Sequence, residues 1–477
     1  MVAKKFAAQV SLLIVVNLIV KLVWIFLIER KIQLLVGFQN YGLYYGLFNF
    51  TLILSIINDP GLSNYLIKSV ASKRPNSKQI ADLFSIKIML SCAYLILSLA
   101  LSFFMGYQNA QLIFILVAYQ ILWSFLIYLR GFLKGHQFLN TEVLFSIVDK
   151  LLLIFTLIPL FYLPNPIIWT INRYAFCQFL AVLVSIALCG VFLGKNRITV
   201  LNRINLKPGL SVLKELFPFA IFAFLVLAYS KIDVVMLQKL LPDKTLAIGN
   251  YAAAYRFLDA SNMLPILFAS LFYPVISKHI KEKKYVGASV KPSLAFLMSM
   301  ALVISFASWF FKQNLMQLFY GQSSSEELVQ IFGVLMFSGP LVVVYYLYGT
   351  VLTANNNLKI LNITSAFGLV INIGLNLWLI PNFEALGAAI STFITFLIIG
   401  IAEIFFYYRL FKHQNHFMIW FKITLFAVLL LFIGNGVIYL SKNWIINLGA
   451  FVTMSIIVAS LLKLLDLKMI KTMIYKG

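Results

Sequence analysis

The chain has 477 residues, 62% of them hydrophobic and 11% charged. Soluble domains run to about 45–50% apolar and about 25% charged, so an ordinary water-soluble fold is excluded. The net charge of +23 raises nucleic acid as a partner, but the cations sit in short segments between long apolar runs. That distribution is the mark of membrane topology and sets nucleic acid aside.

A bilayer is crossed by a helix of about 20 apolar residues, and about fourteen such runs are predicted. They cover 8–28, 41–67, 82–105, 110–130, 142–163, 167–193, 216–238, 247–276, 291–311, 328–352, 359–380, 384–408, 418–440 and 444–464. The first run follows Lys4 and Lys5 and has no small-residue cleavage site after it, so it is read as a retained helix. The expected class is an all-α polytopic membrane protein.

Alternate connections carry the cations. Lys68, Lys73, Arg74 and Lys78 lie in one; Arg130 and Lys134 in the next; Lys195, Arg197, Arg203, Lys207 and Lys214 in the third. Lys278, Lys281, Lys283, Lys284 and Lys291 follow, then Lys359, Arg409 and Lys412, with Lys463, Lys468, Lys471 and Lys476 in the tail. The opposite connections hold Arg30, Lys31, Lys239, Lys244, Lys312 and Lys442. The excess is roughly four to one, which predicts both termini in the cytoplasm.

The three cysteines, Cys92, Cys177 and Cys189, fall inside apolar runs and form no metal or disulfide pattern. His413 and His416 are spaced to share a helix face, but no acidic or Cys partner accompanies them, and no metal or other cofactor is predicted. No phosphate-binding G-x-x-x-x-G-K-[ST] loop occurs, so the chain has no ATP site of that type.

An internal repeat is visible. Lys21 and Lys231 are separated by the same interval as Asn40-Tyr41 and Asn250-Tyr251, Tyr45 and Tyr255, and Lys68 and Lys278. A slightly larger shift aligns Tyr128-Leu129-x-Gly131 with Tyr346-Leu347-x-Gly349. The pattern predicts a duplicated six-helix unit, with both copies entering the membrane in the same sense. The expected organisation is an N-terminal lobe 1–207, a C-terminal lobe 208–412, and two further helices with a basic tail at 413–477.

Several motifs stand in a telling order. Asp59-Pro60-Gly61-Leu62-Ser63 runs into Leu66-Ile67-Lys68. Lys231-Ile232-Asp233-Val234-Val235-Met236-Leu237 precedes Gly249-Asn250-Tyr251 and Ala254-Tyr255-Arg256. Leu318-Phe319-Tyr320-Gly321, Leu379-Ile380-Pro381 and Ala385-Leu386-Gly387-Ala388-Ala389 come later. In these the chain resembles the polysaccharide exporter and O-antigen flippase (Wzx-type) branch of the multidrug/oligosaccharidyl-lipid/polysaccharide superfamily. The first span departs from that pattern at Trp24-Ile25-Phe26 and Glu29-Arg30-Lys31. The resemblance implies twelve to fourteen helices in two lobes about a central cavity. It also implies transport of a polyprenyl-diphosphate-linked oligosaccharide.

Charges inside a bilayer are costly and face a cavity or a partner. Lys21, Arg173, Lys231 and Arg256 fall toward one side of their spans and are the candidate cations for a diphosphate head group. Asp233 and Asp259 are candidates for ion coupling or for ion pairs, and Asp149-Lys150 for neutralisation across adjacent helices. Arg256 and Asp259 are three apart on a helix and can meet. Lys87 is expected to snorkel, Asn372 and Asn376 to share a face as interhelical glue, and Tyr41, Tyr44 and Tyr45 to form an aromatic belt.

Three functions compete. A lipid-linked glycan flippase suits the excess of intramembrane cations. An ion-coupled multidrug exporter of cationic compounds favours carboxylates. A membrane glycan polymerase needs a large external loop or an Asp-x-Asp metal site, and neither is present. The expected partners are membrane lipid, the lipid-linked glycan and polysaccharide assembly proteins. An enzyme is not expected.

Overall fold

The computed structural model describes residues 16–72, 77–162, 168–198, 211–411 and 416–465. These residues are helical almost throughout, and no strand occurs among them. The reason is the solvent: in lipid every backbone N–H and C=O has to be satisfied within the segment, which a helix achieves. Among the described residues, eleven helical segments are long and apolar enough to cross a membrane. The chain is an all-α, multi-pass membrane protein.

In chain order the helices are α1 (16–36), α2 (Phe38–Leu54), α3 (Leu62–Ser72), α4 (Ser77–Phe104), α5 (Ala110–Gly135), α6 (Leu139–Phe145), α7 (Val148–Phe161), α8 (Ile171–Lys195) and α9 (Ser211–Leu240). Then come α10 (Thr245–Lys281), α11 (Gly287–Phe310), α12 (Lys312–Tyr320), α13 (Glu326–Met336), α14 (Ser338–Ala354), α15 (Leu358–Leu410), α16 (Phe417–Val437) and α17 (Trp444–Leu461). The described chain separates into two compact units, divided after Val235 within α9. The expected lobe boundaries at 207–208 and 412–413 fall outside the described residues.

Two predicted spans are reshaped by local chemistry. The span expected at 41–67 is broken between α2 and α3. Pro60 lacks an N–H, and Gly61 holds φ +99°, a conformation that L side chains rarely adopt. Near the other end of the chain, α15 is two helices joined at a kink, with Glu384 at φ 52° and ψ −131°. Gly387 is required there, because a Cβ would lie 2.3 Å from the Leu379 carbonyl oxygen. The Leu379-to-Ala389 stretch is thus a tight helical corner, at the junction expected near Pro381.

Helix starts are capped from the sequence. Asn109, Thr170, Ser325 and Asn443 each accept a backbone N–H of the helix they precede. Glu326 and Glu327 add negative charge to the first turn of α13, where the helix dipole favours it.

Tyr41, Tyr44 and Tyr45 are not an interfacial belt. All three are buried, and Tyr44 donates to Gln178 Oε1 at 2.6 Å. Tyr251 and Tyr255 are buried too. Hydropathy marks these tyrosines as amphipathic but does not say whether the polar tip meets water or another side chain.

Candidate functional site

The first unit concentrates charge and aromatic rings around Lys150. A π-turn at Trp24–Glu29 in α1 buries both Trp24 and Glu29. Tyr119 and Trp123, one turn apart on α5, stack at 6.5 Å. The Lys150 ammonium from α7 lies 5.3 Å from the centre of the Trp24 ring and 5.1 Å from that of Trp123. It donates to Asp149 Oδ2 at 2.9 Å. Asp149 is fully buried, and its Oδ1 has no hydrogen-bond partner among the described residues. Lys150 keeps 20% of its side chain exposed. Tyr174 extends the aromatic wall, 6.4 Å from Trp24 and 5.4 Å from Tyr44.

Such a cluster has a definite chemistry. Indole faces attract an ammonium through their quadrupole, and aromatic faces also pack against the C–H faces of sugars. A cation held in place, with its own carboxylate beside it, can exchange that partner for an incoming anionic group. Asp149 and Lys150 are expected from the sequence to neutralise across adjacent helices, and instead they pair with each other on α7. The indoles that bracket Lys150 were not legible in the sequence.

The other predicted cations stand on separate helices. Lys21 is exposed on α1. Arg173 is exposed in the first turn of α8, where its Nη1 donates to the Ile168 carbonyl at 2.5 Å. Lys231 is half-buried on α9, with Asp233 buried two residues on. In the second unit Arg256 and Asp259 meet at 3.2 Å on α10, as their spacing predicts.

Lys87 does not snorkel. It is fully buried, 3.3 Å from Asp59 Oδ2, and donates to the Asn58 carbonyl at 3.0 Å and to Ser124 Oγ. Asp59 Oδ1 in turn accepts the N–H groups of Gly61 and Ser63, each at 3.2 Å. A break between α2 and α3 leaves backbone groups without helical partners, and this ion pair with its hydroxyls supplies them.

Asn372 and Asn376 hold the two arms of α15 together. Asn376 Nδ2 donates to Asn372 Oδ1 at 2.9 Å, and Asn372 Nδ2 to Thr395 Oγ1 at 3.2 Å. The glue reading describes them. Asn17 does the same in the first unit, donating to Ser146 Oγ at 2.7 Å.

One group escaped the sequence reading. Glu403 on α15 is buried to 1% exposure, and neither carboxyl oxygen has a hydrogen-bond partner among the described residues. The signal was present: a lone acid in the run Ile401-Ala402-Glu403-Ile404-Phe405. His413 lies outside the described residues, and no cluster of metal-binding side chains occurs among those described.

Outside the spans, Lys312 lies 4.1 Å over the Trp309 ring and donates to Gln330 Oε1 at 3.0 Å. Partial burial there lowers its pKa from the ordinary lysine value.

The fold has solved counterparts. A lipid II flippase, MurJ, in an inward closed conformation superposes with a TM-score of 0.67 at 15% identity, covering 97% of this chain and 98% of that one. An inward-facing multidrug resistance MATE transporter of the MOP superfamily gives 0.61 at 15% identity, over 84% and 98%. A MOP superfamily transporter from Pyrococcus furiosus, described by the reversed polarity of its binding pocket, gives 0.60 at 16% identity, over 86% and 96%. No curated protein sequence matches significantly. A MatE family model matches residues 218–378.

The fold is therefore one shared with these solved flippase and transporter structures. The chain belongs to the polysaccharide biosynthesis protein family, whose model matches residues 6–280.

Proposed function

We propose that this protein is a Wzx-type flippase. It moves a polyprenyl-diphosphate-linked oligosaccharide across the bacterial inner membrane for surface polysaccharide biosynthesis. The observation that carries the reading is the Lys150 cation bracketed by Trp24 and Trp123. A glycan diphosphate needs a cation for its phosphates and flat apolar faces for its sugars, and this cluster offers both. Lys21, Arg173, Lys231 and Arg256 are further candidate cations for the head group, with Asp233 and Asp259 as coupling or pairing groups.

The organisation we adopt is two six-helix lobes, 1–207 and 208–412, rocking by alternating access, with 413–477 adding two helices and a basic tail. Both termini are cytoplasmic in this scheme. The prenyl tail stays in lipid while the head group crosses. Membrane lipid is the medium, and polysaccharide assembly proteins are the natural partners. The role is transport and not catalysis.

A MATE-like exporter is the second reading, favoured by the MatE match at 218–378 and by the acids Asp233 and Asp259. The two are separated in proteoliposomes. A fluorescent polyprenyl-diphosphate oligosaccharide should become accessible to an external glycosidase in the presence of the protein. Export of a cationic dye in a pH gradient, with no movement of the glycolipid, would replace the flippase reading with the exporter one.

A further inference from the structure

Glu403 is out of place in an apolar core. It lies on the second arm of α15, against α14, where the nearest polar neighbour is the backbone at Gly349. A Cβ at position 349 would come 3.4 Å from Oε1 and 3.5 Å from Oε2, so the missing side chain leaves the carboxyl its room. No cation reaches it among the described residues. Removing an ionised carboxylate from water without a partner is far more costly than removing the neutral acid. Such a residue inside a membrane protein marks a functional position by default.

Further polar groups stand along and beside the same helix, with no hydrogen bond joining them to the Glu403 carboxyl among the described residues. Tyr407 is one helical turn further along the same face of α15. The Tyr407 hydroxyl lies 3.4 Å from Nε2 of His416, the residue before α16. His416 is itself buried, and its Nδ1 has no hydrogen-bond partner among the described residues. Tyr348 of α14 packs edge-on to Tyr407 at 4.8 Å, next to Gly349. Each of these groups can accept one proton and pass on another.

We propose that Glu403 is a proton-binding site of the second unit, filled and emptied through Tyr407 and His416 from the membrane face where α16 begins. The ligand is a proton. Water at that face gives it up, the carboxyl holds it, and no electron moves. The titratable groups nearby are Tyr348 on α14, Tyr407 and Tyr408 on α15, His416, and Lys291 and Tyr285, which act on His416 and on the tyrosines. On α10 Arg256 and Asp259 pair with each other, and Glu326 and Glu327 stand at the far end of the α13–α14 pair. The proposal rests on the transport reading, to which it adds an energy source.

The test uses the full chain in lipid. Infrared spectra of wild type minus Glu403→Gln should show one carboxylic-acid C=O band at neutral pH. That band should shift in D2O, and more slowly in Tyr407→Phe and His416→Gln. In transport, Glu403→Gln should keep downhill glycolipid exchange and lose its acceleration by an imposed pH gradient. An ionised Glu403, or a band that never exchanges, would overturn the proposal. So would exchange indifferent to both relay variants. The infrared arm needs no substrate, so its outcome is independent of whether the cargo is a glycolipid.

Discussion

Lys87 Nζ stands 3.3 Å from Asp59 Oδ2, at the point where the chain stops being α2 and has not yet become α3. The lysine is fully buried, so the pair is a fixture of the core and not a surface ornament. Breaking a buried pair by removing one partner costs about 3–5 kcal/mol, because the other charge is left stranded. Lys87→Met should therefore lower thermal stability sharply in detergent. The double variant with Asp59→Asn should recover part of the loss, and a thermal scan of the three proteins checks both statements.

The kink in α15 makes a sharper structural prediction. Gly387→Ala would drive a methyl group into the Leu379 carbonyl, which lies 2.3 Å from the Cβ position. Strain of this kind costs about 1–3 kcal/mol. Gly374→Ala, on the same helix, meets nothing within 4 Å. It should be neutral or slightly stabilising, since alanine is the better helix former. Equal effects of the two substitutions on thermal stability would refute the account of the corner.

His416 gives a pH dependence. Burial first, and Lys291 second, push its imidazole down from the ordinary 6.5 to about 4. The unfolded chain then binds this proton more readily than the folded one between those values. The contribution of neutral His416 to stability is complete above about pH 6.5 and is lost as pH falls toward about 4. Thermal scans across this window should show a steeper decline for wild type than for His416→Gln. Parallel curves would contradict the burial of a neutral ring.

How much of this was legible depended on the kind of signal. The helical class and the placing of spans followed from apolar runs of bilayer length, and the junction near Pro381 from a residue that ends helices; the break at Pro60-Gly61 did not, because the apolar run continues on both sides of it. The Arg256–Asp259 and Asn372–Asn376 contacts followed from helical spacing alone. The burial of Lys87 did not, because its partner Asp59 lies in the break between α2 and α3, 28 residues away, and local sequence carries no record of that approach. The indoles around Lys150 come from α1 and α5, far apart in the chain, so only the tertiary fold assembles them. The tyrosines of α2 misled for a related reason: a ring with a polar tip suits a membrane interface and a hydrogen-bonded core equally well.

The central claim is that the caged cation on α7 receives the head group of a lipid-linked glycan. The most direct measurement follows a fluorescent polyprenyl-diphosphate oligosaccharide across proteoliposome membranes with wild type, Lys150→Ala, Trp24→Ala and Trp123→Ala. Losing a charge-assisted contact worth about 1.5–3 kcal/mol in the bound head group corresponds to a fall in rate of roughly 10- to 100-fold. Lys150→Ala should show that loss, with a smaller one for each indole and helical content unchanged. Wild-type rates in a folded Lys150→Ala protein would contradict the account.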